Sequence, residues 1–235
     1  MSNLIAAALV FVLTHHIPAV KPVRAALVAA LGERLYILLY SLVSLGVLVW
    51  LFWAFLEAPY VELWPYQEWA RWLALVVMVP ACILLVAGST TPNPLSVGWG
   101  TAGYDPSRPG IVSVTRHPVM WAFALWAAAH IPVNGEAAAV ILFTLMLGLS
   151  LTGPKSLDVK RRAKLGEETW QRLAGPTSSV PFAAMGLWRA GAKNAWRQVP
   201  ETLNQIGWGR LLGGAALYLV FLYGHPVLFG VSPMP

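Results

Sequence analysis

Residues 35–56 read LYILLYSLVSLGVLVWLFWAFL, a run of 22 residues without one charged side chain. A helix crosses the hydrocarbon of a bilayer in about 20 mostly apolar residues. This run is long enough alone, and it makes the chain a membrane protein before any other stretch is considered. Working outward, five more apolar stretches qualify as spans: residues 4–20, 72–87, 118–133, 137–151 and 211–229. Several are shorter than the ideal, which implies local thinning, interfacial extension or burial against neighbours. The expected fold is therefore all-α: a polytopic helical bundle of about six transmembrane helices forming one domain over residues 1–235.

The composition agrees. Of 235 residues, 57% are hydrophobic and only 11% charged, and the mean hydropathy is +0.63. A soluble domain carries roughly a quarter charged residues, so this chain cannot cover a water-facing surface, and a soluble enzyme is excluded. Disorder is excluded by the abundance of apolar side chains. The lone Cys82 excludes a disulfide-stapled secreted domain. The net charge of +6 reads as a topology signal, because a nucleic-acid partner needs a basic water-facing patch. The first span is expected to be retained and not cleaved: no basic residue precedes it, and it ends in Thr14-His15-His16-Ile17-Pro18 without a small-residue cleavage site.

Loop charges alternate along the chain. Lys21, Arg24 and Arg34 follow the first span; Glu57, Glu62 and Glu68 follow the second; Arg108 and Arg116 precede the fourth. Residues 155–207 form the largest basic loop, with Lys160, Arg161, Arg162 and Lys164 clustered on a juxtamembrane helix that meets anionic lipid. The positive-inside bias places these loops in the cytoplasm and both termini outside. Asn134-Gly135 punctuates a hairpin between the fourth and fifth spans. Gly148, Gly213, Gly214 and Ala127-Ala128-Ala129 offer small faces for helix contact. Residues 88–115 make a long loop, rich in Pro and Gly and poor in charge, expected to fold over the cytoplasmic mouth.

In so apolar a chain, chemistry concentrates on the few intramembrane polar groups. Five histidines, His15, His16, His117, His130 and His225, lie in or at the ends of the spans. Carboxylates and thiols are nearly absent there, which disfavours zinc, carboxylate-bound iron and iron–sulfur clusters. Two imidazoles can hold a haem iron from opposite faces, so bis-His haem b matches the composition best. His117 and His130 are roughly 20 Å apart along one helix and cannot share an iron. Depth pairs His15 or His16 with His117, and His130 with His225. A His15–His130 pair needs about 8 Å of vertical offset, which tilt can absorb.

The run from Arg116-His117-Pro118 to Trp126-Ala127-Ala128-Ala129-His130 resembles the NnrU family of membrane proteins, itself similar to zeta-carotene isomerases. The resemblance extends through Thr14-His15-His16, Gly32-Glu33-Arg34-Leu35-Tyr36, Pro92-Asn93-Pro94, Thr177-Ser178-Ser179-Val180-Pro181-Phe182 and His225-Pro226. It implies a haem b protein of the bacterial inner membrane, taking part either in redox-gated cis–trans isomerisation of an apolar polyene or in denitrification and respiration. The partners it implies are membrane lipid and an apolar small molecule. It selects His15 and His130 as metal ligands, with Arg116 and His117 as further cofactor-binding residues. Ala127 stands where the isomerase relatives carry a cysteine.

A second resemblance, to isoprenylcysteine and phospholipid methyltransferases, rests on Arg116-His117-Pro118, Gly166-Glu167-Glu168 and Pro181. It implies an S-adenosylmethionine site at the cytoplasmic face. Asp158, followed by Lys160-Arg161-Arg162, stands where those enzymes start a helix with paired glutamates, which points to the same fold without that site.

Overall fold

The computed structural model describes residues 1–235 except Pro18, Ala19, Trp99 and Thr101, and except the side chains of Lys21, Trp188 and Arg189. The helices are α1 (Ser2–His16), α2 (Lys21–Leu31), α3 (Glu33–Leu56), α4 (Glu68–Thr90), α5 (Ile111–Val114), α6 (Pro118–Val133), α7 (Ala137–Leu165), α8 (Glu167–Ala174), α9 (Leu187–Ala190), α10 (Ala192–Ile206) and α11 (Trp208–Phe229). Among the described residues, the only bridge of the strand type is an isolated pair, Glu62 and Glu136. The chain is an all-α, multi-pass membrane protein.

Among the described residues, four helices, α3, α4, α7 and α11, are long and apolar enough to cross a bilayer. α1 and α6 are apolar but hold only 15 and 16 residues. Exposed side chains support a lipid environment. Leu42, Leu45, Val49 and Trp53 of α3, and Leu212 and Val220 of α11, all face outward. Water would penalise that surface; acyl chains solvate it.

Several expected boundaries move, among them the third span, expected over 72–87 and helical over Glu68–Thr90. The first span, expected over 4–20, is helical over Ser2–His16, and Pro18 and Ala19 lie outside the described residues. The fifth, expected to stop at 151, continues as one helix to Leu165. The change from apolar to basic sequence at Lys155 ends the hydrophobic stretch but not the run of backbone hydrogen bonds. Residues 21–31, expected as loop, form α2.

Contacts group the chain into two compact units. The first comprises residues 1–66 and 134–145. Here α1 and α2 pack on α3, and the Trp50 indole N–H donates to Asn3 Oδ1 at 3.1 Å. The expected hairpin turn is tied to the preceding segment, with Leu63 N–H donating to Gly135 O at 2.7 Å and Ala137 N–H to Val61 O at 2.9 Å.

The second unit comprises residues 67–133 and 146–235. α4 packs on both α6 and α11. Close approach is possible because small residues line α4 and α11, the usual basis of helix contact in lipid. A Cβ on Gly214 would sit 2.7 Å from Ile83 Cα, and one on Gly88 would sit 2.7 Å from Pro118 Cγ. Gly148, expected on such a face, has nothing within 4 Å of a built Cβ. Arg210, at the start of α11, donates from Nη2 to Thr90 O at 3.3 Å and from Nε to Thr90 Oγ1 at 3.2 Å. It thereby caps the C-terminus of α4, where a positive charge meets the negative helix end.

A buried histidine lock beside the basic loops

His117 ends the loop before α6. Its carbonyl accepts the first helical bond, from Trp121 N–H at 3.1 Å, and Pro118 takes the first helical position, where its missing N–H costs nothing. Pro118 seats against Gly88, so the Arg116-His117-Pro118 corner is fixed on α4. The His117 side chain is 0% exposed.

Both ring nitrogens of His117 have side-chain partners. Nε2 lies 2.9 Å from Asp158 Oδ1, and Nδ1 lies 2.8 Å from Ser96 Oγ. A carboxylate only accepts, so Nε2 carries the proton; in the neutral ring Nδ1 then accepts from the Ser96 hydroxyl. Asp158 also accepts from Arg116 Nη1 at 2.7 Å and from Ser179 Oγ at 2.9 Å. Arg116 spreads its remaining donors over one segment: Nε to Thr177 Oγ1 at 2.9 Å, and Nη2 to the carbonyls of Thr177 and Ala174 at 3.2 and 3.3 Å. Its guanidinium lies 5.0 Å over the Trp170 ring.

Asn93 and Arg161 extend the network. Asn93 Nδ2 donates to Arg116 O at 3.0 Å, and Arg161 Nη2 donates to Ser96 O at 2.9 Å. Trp121 Nε1–H reaches Ser179 O at 2.8 Å. Four segments are thereby tied at one point: the loop at 93–96, the start of α6, the basic end of α7, and residues 174–180. Within the long loop, Asn93, Leu95 and Ser96 are buried.

Asp158 lies beyond the apolar part of α7. Burial alone would raise its carboxyl, but the hydrogen bond from His117, the Arg116 charge and the Ser179 hydroxyl together hold it below its ordinary value. Tyr104, in the same loop as Ser96, is pushed up to about 12, chiefly by burial. Ser96, His117 and Asp158 stand in a row, yet they do not form a nucleophilic triad. Ser96 is 1% exposed and its hydroxyl is spent on Nδ1, whereas a nucleophile must reach substrate.

The other expected site residues lie apart from this lock. His15 and His130 belong to different units. On α1, Leu4, Ala7 and Phe11 are buried, and His15 continues that stripe four residues on, with its ring 4.1 Å from the Phe11 ring. Its Nδ1–H donates to Phe11 O at 2.8 Å. His16 is exposed. On α6, His130 Nδ1–H donates to Trp126 O at 2.7 Å. His225 Nδ1–H donates to Val231 O at 2.8 Å. Among the described residues, no group of three or more His, Cys, Asp or Glu is placed to hold a metal ion; a haem iron held by two histidines needs no such group.

Sequence reasoning picked out Arg116 and His117 and noticed Asp158 as an acidic position, but did not join them. Ser179 stands in the Thr177–Phe182 stretch of the resemblance without a role of its own, and Ser96 carries no signal, since a serine in a loop says little until its neighbour across the fold is known.

A family model described as NnrU protein matches residues 3–233. Among curated proteins, the chloroplastic 15-cis-zeta-carotene isomerase of Zea mays is 26% identical over 165 residues, covering 66% of this chain and 43% of that protein. The chloroplastic enzyme of the same name from Arabidopsis thaliana is 25% identical over 213 residues, covering 86% of this chain and 54% of that protein. The chain thus spans about half the length of the curated relatives it matches. No solved structure gives a significant match.

Proposed function

The chain belongs to the NnrU family, and from that premise we propose that it is a haem b-binding protein of the bacterial inner membrane with an isomerase-like role toward an apolar polyene. Similarity to two 15-cis-zeta-carotene isomerases supports the isomerase part. The haem part is carried by one observation about donor chemistry. His15 and His130, like the exposed His16, each donate from Nδ1 to the carbonyl four residues earlier in their own helix, and the family resemblance selects the first two. That bond puts the lone pair on Nε2 and fixes the ring, the arrangement a metal-ligating histidine ordinarily needs.

His15 and His130 would hold the iron. Bound haem b would supply a redox-active iron, whose potential the histidines that hold it would help set. The protein's own part is to hold each imidazole in one tautomer. Arg116 and His117 are assigned to the lock, because Asp158, Thr177 and Ser96 already engage them.

The test is the absorption spectrum of detergent-purified protein expressed with ample haem. A Soret band and a reduced-state alpha band are expected, and His15→Ala and His130→Ala abolish or shift them while His16→Ala does not. A spectrum without either band overturns the haem reading. Reduced protein incubated with a 15-cis polyene is expected to change the isomer ratio on chromatography. A haem spectrum with no change in isomers leaves an accessory role in denitrification or respiration.

A further inference from the structure

A cavity of about 380 Å³ opens beside the lock, with Asp158 and Ser179 in its wall. One face of α7 lines it at helical spacing: Leu151, Pro154, Lys155, Asp158 and Val159. Trp121 of α6 and the pair Ser179-Val180 complete it. Leu151, Val159 and Val180 are each about half exposed, so the cavity is a groove on the surface of this unit, apolar at the Leu151 end and polar toward the end where Lys155, Asp158 and Ser179 line it.

The charge at that end is unbalanced. Asp158 carries one negative charge, and Arg116 at 2.7 Å offsets it. Lys155, one turn earlier, is exposed and has no carboxylate partner among the described residues. The polar end therefore presents one net positive charge, together with the Ser179 hydroxyl. Position gives the medium. Leu151 is the last residue of the apolar stretch, and Lys155 begins the basic one, so the groove crosses the level where acyl chains give way to headgroups.

We propose that this groove is a site for one anionic phospholipid, with the headgroup phosphate on Lys155 and an acyl chain laid along Leu151, Pro154 and Trp121. An acyl chain matches the apolar walls, and a phosphate matches the single uncompensated ammonium. The site is independent of the haem proposal: it shares no residue with His15 or His130. Because Asp158 and Ser179 belong to the lock, a bound lipid also steadies the loops that the lock ties together.

The experiment is native mass spectrometry of the full chain, delipidated in detergent and titrated with dioleoylphosphatidylglycerol, with dioleoylglycerol, and with inorganic phosphate. Wild type is expected to take up one phosphatidylglycerol saturably. Dioleoylglycerol, which lacks the phosphate, binds at least tenfold more weakly, and inorganic phosphate, which lacks the chains, does not bind. Lys155→Glu and the groove-filling Val159→Trp each weaken the adduct at least tenfold, and Lys155→Arg retains it. Lys164→Glu, which removes the same charge from the same helix beyond the groove, leaves it unchanged. Both altered groove positions are exposed, so the variants are expected to keep the wild-type melting temperature. Equal uptake by wild type, Lys155→Glu and Val159→Trp overturns the proposal. So does an equal loss in Lys164→Glu, which would make the attraction one of net charge.

Discussion

His117 and His15 stand near the ends of apolar helices, and each ring makes a short hydrogen bond at Nδ1, accepted in the first and donated in the second, yet their surroundings differ in kind. His117 is wholly buried and held on both nitrogens by side chains from other segments, Ser96 and Asp158. His15 is half-buried and held by a carbonyl of its own helix, Phe11 O. The first arrangement commits the whole ring to architecture. The second orients the ring at no tertiary expense and leaves its chemistry to Nε2. Burial alone would have ranked these residues the other way, since the most buried histidine is the one least suited to bind iron.

The comparison is easiest to break at Asp158. Replacing it with Ala leaves a fully buried imidazole and a mostly buried guanidinium without their acceptor. Such a loss costs about 3 kcal/mol or more, read as a large fall in melting temperature in detergent. Its pH dependence has a definite sign. The carboxyl titrates lower in the folded chain, so its contribution is complete above the ordinary carboxylate value of about 4 and is lost as pH falls through the folded value. Melting of the wild type is expected to hold between pH 7 and 5 and to drop in stronger acid. Asp158→Asn lacks that component, so the gap between the two narrows on acidification. A constant gap would remove Asp158 from the lock.

Arg116→Lys is the next largest. It keeps the charge but cannot reach Asp158, Thr177 and Ala174 together, which costs about 2 kcal/mol. Full stability in this variant would mean that charge alone, without the fork, holds the segment. Ser96→Ala is smaller, at about 1 kcal/mol, the worth of one buried hydrogen bond. His15→Ala is expected to be smallest, within about 0.5 kcal/mol, because it removes no tertiary hydrogen bond; its effect belongs to the spectrum. A melting loss for His15→Ala that matches Asp158→Ala would erase the distinction between the two histidines.

The legible part of this molecule was what one segment can report about itself. α6 begins at Pro118 and ends at Val133, the limits its hydropathy sets. α7 was read 14 residues short, since hydropathy senses the solvent around a helix and the helix outlasts its membrane. α2 and α10 were hidden for the opposite reason. On α10, Ala195, Thr202 and Ile206 face inward while Lys193, Trp196 and Arg197 face out, a mixed composition that reads as a basic loop. The lock was the least legible part. Arg116 lies 42 residues from Asp158 and 61 from Thr177, and no local pattern predicts which serine will meet His117.

Those separations also set a timetable for the chain as it is made. A ribosome adds about 5–20 residues per second, so Arg116 and His117 emerge roughly 2–8 s before Asp158, and Thr177 comes later still. Through that interval α6 enters the membrane with two of its most demanding side chains unmatched at its mouth. Arg116 can then act as an unpaired positive anchor against translocation. The residue that finally locks the loops is thus, for its first seconds, a residue that orients the helix.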